Sequence, residues 1–176
     1  MEKQVVPWNS LLKETFDSMT DSGLLLVAQA PGGQPNPMTI GWALIGSVWS
    51  QPVFTVLVRP SRYTHDLLEA NGDFTVNVLP SSLAHAADHC GAASGRDGDK
   101  FKATGLTAAP SLHVNCPGVE EALVVYECRT VLKNQVLPET LDPAIRNSAY
   151  GSGNFHTLYY GKILCVRADR SAAKGA

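Results

Sequence analysis

Apolar positions along this chain change period more than once. Leu11, Leu12, Phe16 and Met19 recur at helical spacing and predict a helix over 8–19. After Gly23, residues 24–30 form a short continuous apolar run of strand length. The Pro- and Gly-rich segment 31–36 reads as a turn. A second strand is predicted over 38–49, weakened by Gly41 and Gly46, since glycine inside a strand marks a bulge or a close approach by backbone or ligand. Residues 52–58 are apolar and β-branched, as in a buried strand. A short helix over 62–70 follows, capped by Ser61 or Thr64 and ended by Asn71-Gly72. The strand over 74–79 places Phe74, Val76 and Val78 on one face. Ser81 or Ser82 opens a helix that reaches Cys90-Gly91, where Gly91 suits the stop. A polar loop fills 93–100, and two long strands cover 122–131 and 156–166.

Strands joined without regular βα alternation argue against a doubly wound sheet. The pattern predicts a mainly β fold with peripheral helices, arranged as a barrel. With 176 residues and no internal repeat, the chain reads as a single domain over 1–176, large enough to bury a core.

Composition narrows the function. Hydrophobic residues make up 44% and charged residues 17%, a globular balance. The net charge of −2 supplies no basic field for nucleic acid. Cys90, Cys116, Cys128 and Cys165 form no C-x-x-C pair, which disfavours zinc ribbons and dithiol redox sites. The first four residues lack the apolar core of a leader, and no apolar run approaches the ~20 residues of a membrane helix. The expected location is the cytoplasm, away from membranes, with reduced cysteines.

Two stretches carry the strongest chemistry. Asn36-Pro37-Met38-Thr39-Ile40-Gly41-Trp42 lies on a strand that admits close approach. Arg59-Pro60-Ser61-Arg62-Tyr63-Thr64 opens a helix and gathers two arginines and two hydroxyls where unpaired N–H groups favour an anion. Together they suit a phosphorylated, planar ligand. A third stretch, Ser94 to Phe101, offers glycines and the cations Arg96 and Lys100, although a mixed-charge loop of this kind is more often a solvated turn. It has no Walker A spacing, and no G-x-G-x-x-G follows a strand. On the last strand, alternation sends His156 and Tyr160 to one face and Tyr159 to the other; they suit ring contacts or simply a half-buried strand. His85 and His89 have helical i, i+4 spacing but lack the further ligands zinc needs, so no metal site is assigned. No G-x-S-x-G elbow supports a hydrolase.

With these residues in view, the chain resembles the flavin reductase-like family, whose fold is the FMN-binding split β-barrel. The similarity runs from about Val5 to Val166. It is carried by NPMTIGW, PVFTVLVRPSRYTHDLLE and GDFTVNV, then CGAASGRDGDKF, GLT, YECRTVL and HTLYYGKIL in order. The resemblance implies a homodimer with FMN near the subunit interface. Carried over by position, Met38, Thr39 and Ile40 would line the isoalloxazine edge. Arg59, Ser61, Arg62 and Thr64 would hold the phosphate or its neighbourhood. Ser94, Gly95 and Lys100 would complete the polar side. His156 and Tyr159 would stand near the ring or an incoming nicotinamide, with no residue fixed as catalytic. The implied activity is hydride transfer from NADH or NADPH to FMN, and electron transfer on to free flavin, a ferric complex or a protein acceptor. A flavoredoxin-like electron carrier, with no NAD(P)H reaction of its own, is the alternative. A split barrel that has lost its cofactor is the third. Trp49-Ser50-Gln51 before Pro52, and Ala92-Ala93, depart from common members, while Cys90-Gly91 fits the branch resembling flavoredoxins and ferric or flavin reductases.

Overall fold

The computed structural model describes residues 3–169; the first two residues, part of the segment examined for a leader, lie outside them. The strands are β1 (Lys3–Val5), β2 (Leu24–Ala28), β3 (Asn36–Ile40), β4 (Ala43–Val48), β5 (Gln51–Val58), β6 (Asp73–Val78), β7 (Ala108–Ala109), β8 (Gly118–Val119), β9 (Val124–Gln135) and β10 (Thr157–Asp169). The helices are α1 (Leu12–Asp21), α2 (Tyr63–Ala70), α3 (Ala84–Ala92), α4 (Lys100–Thr104) and α5 (Pro143–Tyr150).

One antiparallel sheet runs in the order β3-β2-β6-β9-β10-β5-β4, with β1 added to β10. Its two outermost strands, β3 and β4, are separated in sequence by only Gly41 and Trp42. The sheet must therefore curl until its ends meet at that corner, as the twist of strands allows. Since β3 and β4 do not pair, the barrel is split there. The architecture is mostly antiparallel sheet with few helices, as the pattern predicts.

Leu24, Leu26, Phe54, Val56, Phe74, Val76 and Tyr126 fill the interior. Leu25 and Val27 point the other way and pack with Ala86, Ala87, Cys90 and Phe101 of α3 and α4. Burial on both faces explains why β2 reads as an unbroken apolar run. Gly161 of β10 makes room for a core ring: a Cβ there would lie 2.7 Å from Phe74 Cε1 and 2.9 Å from Cys128 Cβ. The β9–β10 register shifts beside it, between Tyr160 and Gly161.

Several predicted boundaries move. The strand over 38–49 breaks at Gly41-Trp42, the barrel corner. The first helix starts at Leu12, because Ser10 turns back onto the Pro7 carbonyl through its N–H and its hydroxyl. Neither Ser61 nor Thr64 caps α2, which has no side-chain cap. Neither Ser81 nor Ser82 caps the next helix; both lie in a 3-10 turn before α3. Gly91 does not end α3 but lies within it, where a Cβ would meet Thr39 Cβ at 3.4 Å. The polar loop gives way to α4 at Lys100, after Asp99 accepts from the Lys102 N–H at 3.1 Å. β1, β7, β8, α4 and α5, all short or polar, are not among the predicted elements.

Candidate functional site

The split corner opens into a groove with two cavities. The corner cavity, about 210 Å³, is lined by Met38, Thr39, Ile40, Gly41, Trp42, Leu57, Arg59, Arg62 and His156. The helix-end cavity, about 100 Å³, is lined by Asn36, Ser61, Tyr63, Thr64, Ala92, Ala93, Ser94, Gly95 and Lys100. Met38 and Arg62 line both and join them.

The helix-end cavity gathers positive charge. Lys100 is only 5% exposed, yet among the described residues its Nζ donates to two carbonyls alone, Cys90 at 3.0 Å and Ala93 at 3.4 Å. Burial lowers its pKa, and the nearby charge of Arg62 lowers it further, while Cys90 acts the other way. Arg62 makes one long bond, from Nη1 to the Gly91 carbonyl at 3.4 Å. No carboxylate lines this cavity. The uncapped start of α2 adds its partial positive charge.

The hydroxyls are arranged to donate. Thr64 Oγ1 accepts from Asn36 Nδ2 at 2.9 Å, Ser61 Oγ from Asn154 Nδ2 at 2.7 Å, and Ser94 Oγ from the Arg96 N–H at 3.2 Å. Each oxygen is already an acceptor, so its proton remains for a ligand. Asn36 Oδ1 is buried without a hydrogen bond, an acceptor suited to a ligand hydroxyl. Gly95 presses against this amide: a Cβ would overlap Asn36 Oδ1 and lie 2.9 Å from Tyr63 Cδ1. Arg96 is engaged elsewhere, with Asp66 Oδ2 at 2.5 Å, the Ser61 carbonyl at 3.3 Å and the Tyr63 ring beneath its guanidinium.

In the corner cavity, Arg59 is engaged from within. Arg59 Nη2 donates to the Ala149 carbonyl at 2.9 Å and Nη1 to the Asn154 carbonyl at 3.3 Å. Its guanidinium lies 5.2 Å from the Tyr150 ring centroid. It therefore fastens the end of α5, where a cation suits the exposed carbonyls. That helix exists because Asp142 caps it, accepting from Ala144 N–H at 2.8 Å and Ile145 N–H at 3.3 Å, with Pro143 in its first turn. The Tyr150 hydroxyl meets His156 Nδ1 at 2.7 Å, and the His156 ring lies 5.2 Å from that of Trp42. Burial, helped by Arg59, pushes His156 down to about 4, so its imidazole is neutral near pH 7.

The structure thus gathers Met38, Thr39, Ile40, Arg59, Arg62 and His156 in one cavity and Ser61, Thr64, Ser94, Gly95 and Lys100 in the other. Arg59 faces the α5 carbonyls and lines only the corner cavity. Tyr159 lines neither: it is fully buried, and its hydroxyl donates to Glu69 Oε1 at 2.8 Å. Alternation had already put it on the face opposite His156. Asn36, Trp42, Leu57 and Tyr150 were not singled out as site residues. The first two lie within the 36–42 stretch, whereas nothing in the sequence ties Tyr150 to the corner. Thr39 Oγ1 donates to the Ala87 carbonyl and ties β3 to α3.

The sequence pattern of the family described as flavin reductase like domain matches residues 18–175. An uncharacterised protein of Pyrococcus abyssi is 29% identical over 150 residues, covering 85% of this chain and 76% of that protein. Two other relatives are spanned over 65% and 62% of their length. Among solved structures, the flavoredoxin of Desulfovibrio vulgaris (Miyazaki F) has a TM-score of 0.67 at 26% identity, covering 84% of this chain and 69% of that one. The FMN-binding domain of a flavin reductases-like enzyme from Shewanella baltica OS155 has a TM-score of 0.66 at 16% identity, covering 96% and 78%; that identity speaks to the fold alone.

Proposed function

This chain belongs to the flavin reductase like domain family, and on that premise we propose that it is an FMN-dependent oxidoreductase. It takes hydride from NADH or NADPH and passes electrons to free flavin, a ferric complex or a protein acceptor. The observation that carries this reading is Lys100, a buried ammonium with carbonyl partners only, beside Arg62. Such a group calls for a ligand anion. The residues present fit FMN. Lys100 and Arg62 hold the phosphate. Ser61, Thr64 and Ser94 donate to phosphate or ribityl oxygens, and Asn36 Oδ1 accepts from a ribityl hydroxyl. The strand residues Met38, Thr39 and Ile40 line the ring edge. When bound, the flavin supplies the two-electron chemistry, which is consistent with a groove that holds no nucleophile–base pair.

The whole of 1–176 acts as one flavin reductase-like domain, working in the cytoplasm as a homodimer. The support for the dimer is the outer face of β4, β5, β10 and β9. Leu44, Thr55, Tyr160 and Leu132 lie in register across the four strands, with Leu44 62% exposed and Leu132 42% exposed. The next row carries Leu57 and Leu158. Leu57 also lines the corner cavity, so a second copy on this face would close the open side of the groove. Scattering that gives a monomer with full FMN affinity would remove this part of the reading.

The similarity to a flavoredoxin favours a second reading, an electron carrier reduced by a protein. One experiment separates the two. The purified protein is loaded with FMN and mixed with NADH or NADPH without oxygen. Bleaching of the flavin spectrum supports the reductase. Bound flavin that stays oxidised supports the carrier. A protein that takes up no FMN overturns both.

A further inference from the structure

We propose that Tyr150 is a positioning residue that holds His156 as a neutral Nε2–H donor for a carbonyl or carboxamide oxygen of the molecule entering the corner cavity. This rests on the reading of the groove as a nucleotide site and names what its corner recognises.

Tyr150 is 5% exposed, and among the described residues the acceptor within reach of its hydroxyl proton is His156 Nδ1 at 2.7 Å. If Nδ1 carried the proton, the buried hydroxyl proton would have no acceptor. With the hydroxyl donating, Nδ1 is the acceptor and the ring proton sits on Nε2. Among the described residues no atom accepts from Nε2, and His156 lines the corner cavity. The orientation is braced on several sides. Trp42 lies 5.2 Å from the imidazole, Phe155 stacks on Tyr150 at 4.8 Å, and Arg59 lies over Tyr150 while gripping the Ala149 carbonyl. Arg59 also opposes a positive imidazole, so the group offers a proton in a hydrogen bond without carrying charge.

A neutral donor among Ile40, Gly41, Trp42 and Leu57 suits an uncharged acceptor oxygen attached to a planar ring. If a nicotinamide enters here, its carboxamide oxygen is that acceptor. The hydrogen bond orients the ring; it takes no part in electron transfer.

The test labels the full chain with 15N-histidine and reads the His156 tautomer by long-range proton–nitrogen correlation. The expected result is proton on Nε2 in the wild type and loss of that preference in Tyr150→Phe, which keeps the aromatic ring. With FMN bound, Tyr150→Phe should raise the NADH KM about five- to tenfold with kcat within twofold. His156→Gln, which keeps an N–H donor, should retain more NADH affinity than His156→Leu. A wild-type proton on Nδ1, or one tautomer pattern in both proteins, overturns the proposal whether or not NADH is oxidised. An Nε2–H wild type, altered in Tyr150→Phe, that leaves NADH unused supports the donor and overturns the nicotinamide reading instead.

Discussion

Arg59 and Arg62 stand three residues apart in one motif, yet the groove's two cavities use them in opposite ways. Arg59 meets the carbonyl end of α5 and the Tyr150 face, and is held there by two hydrogen bonds. Arg62 finds a single long contact and sits beside the buried Lys100. The corner arginine is thus engaged by the protein itself, whereas the helix end is left positively charged and incomplete. An arginine in a phosphate-like motif becomes structural when a helix C-terminus lies within its reach. It stays available to a ligand when nothing does.

The sharpest way to break this contrast is Lys100→Met, which keeps volume and removes the charge. FMN should bind about 30- to 100-fold more weakly, in line with ~2–3 kcal/mol for a buried charge-assisted contact. The flavin-free protein should melt at the same or a higher temperature, since an unpaired buried ammonium disfavours the fold. Fluorescence titration and thermal melts read both effects. A strong loss of flavin-free stability with unchanged affinity would make Lys100 a structural residue. Next in size is Arg62→Ala, expected to weaken FMN binding at least tenfold, about 1.4 kcal/mol, and to narrow the preference for FMN over riboflavin. Unchanged affinity in that titration would sink its assignment.

The fold was readable because its signals are local. The unbroken apolar run of β2, the alternation of Phe74, Val76 and Val78, and the turn residues all act within a few positions. The polar end of the groove was readable for the same reason: charge, hydroxyls and a helix start lie within 59–64. What the sequence hides is convergence. Nothing local says that Asn154 reaches Ser61, that Arg59 grips Ala149, or that Tyr150 meets His156. These contacts depend on α5, a short, mostly exposed helix. Tyr159 shows the converse, a polar tip that alternation turned toward Glu69 and away from the groove.

Arg59→Ala sharpens the contrast from the corner side. Loss of the helix-end contact and the cation–π contact should destabilise the protein by about 1–2 kcal/mol. FMN and riboflavin affinities should fall by the same factor, because the change loosens the wall and leaves the phosphate contacts in place. A selective loss of FMN over riboflavin would move Arg59 to the phosphate and erase the difference between the two arginines.

The smallest effect is a pH dependence confined to the corner. His156 titrates near 4 in the folded protein, below its ordinary value of 6.5, because burial and the adjacent Arg59 disfavour its charged form. Between those values the unfolded chain binds a proton that the folded protein refuses. The stability from burying a neutral imidazole is therefore fully present above pH 6.5 and declines as pH falls toward 4. Arg59 lies over the Tyr150 ring, and burial raises the Tyr150 hydroxyl, the polar group hydrogen-bonded to the imidazole, further from that window. Melts from pH 7.5 to 4.5 should show the wild type losing on the order of 1 kcal/mol more than His156→Gln, which cannot take up the proton. Parallel melting curves would mean that His156 protonates in place, and the corner would then be as open to charge as the helix end.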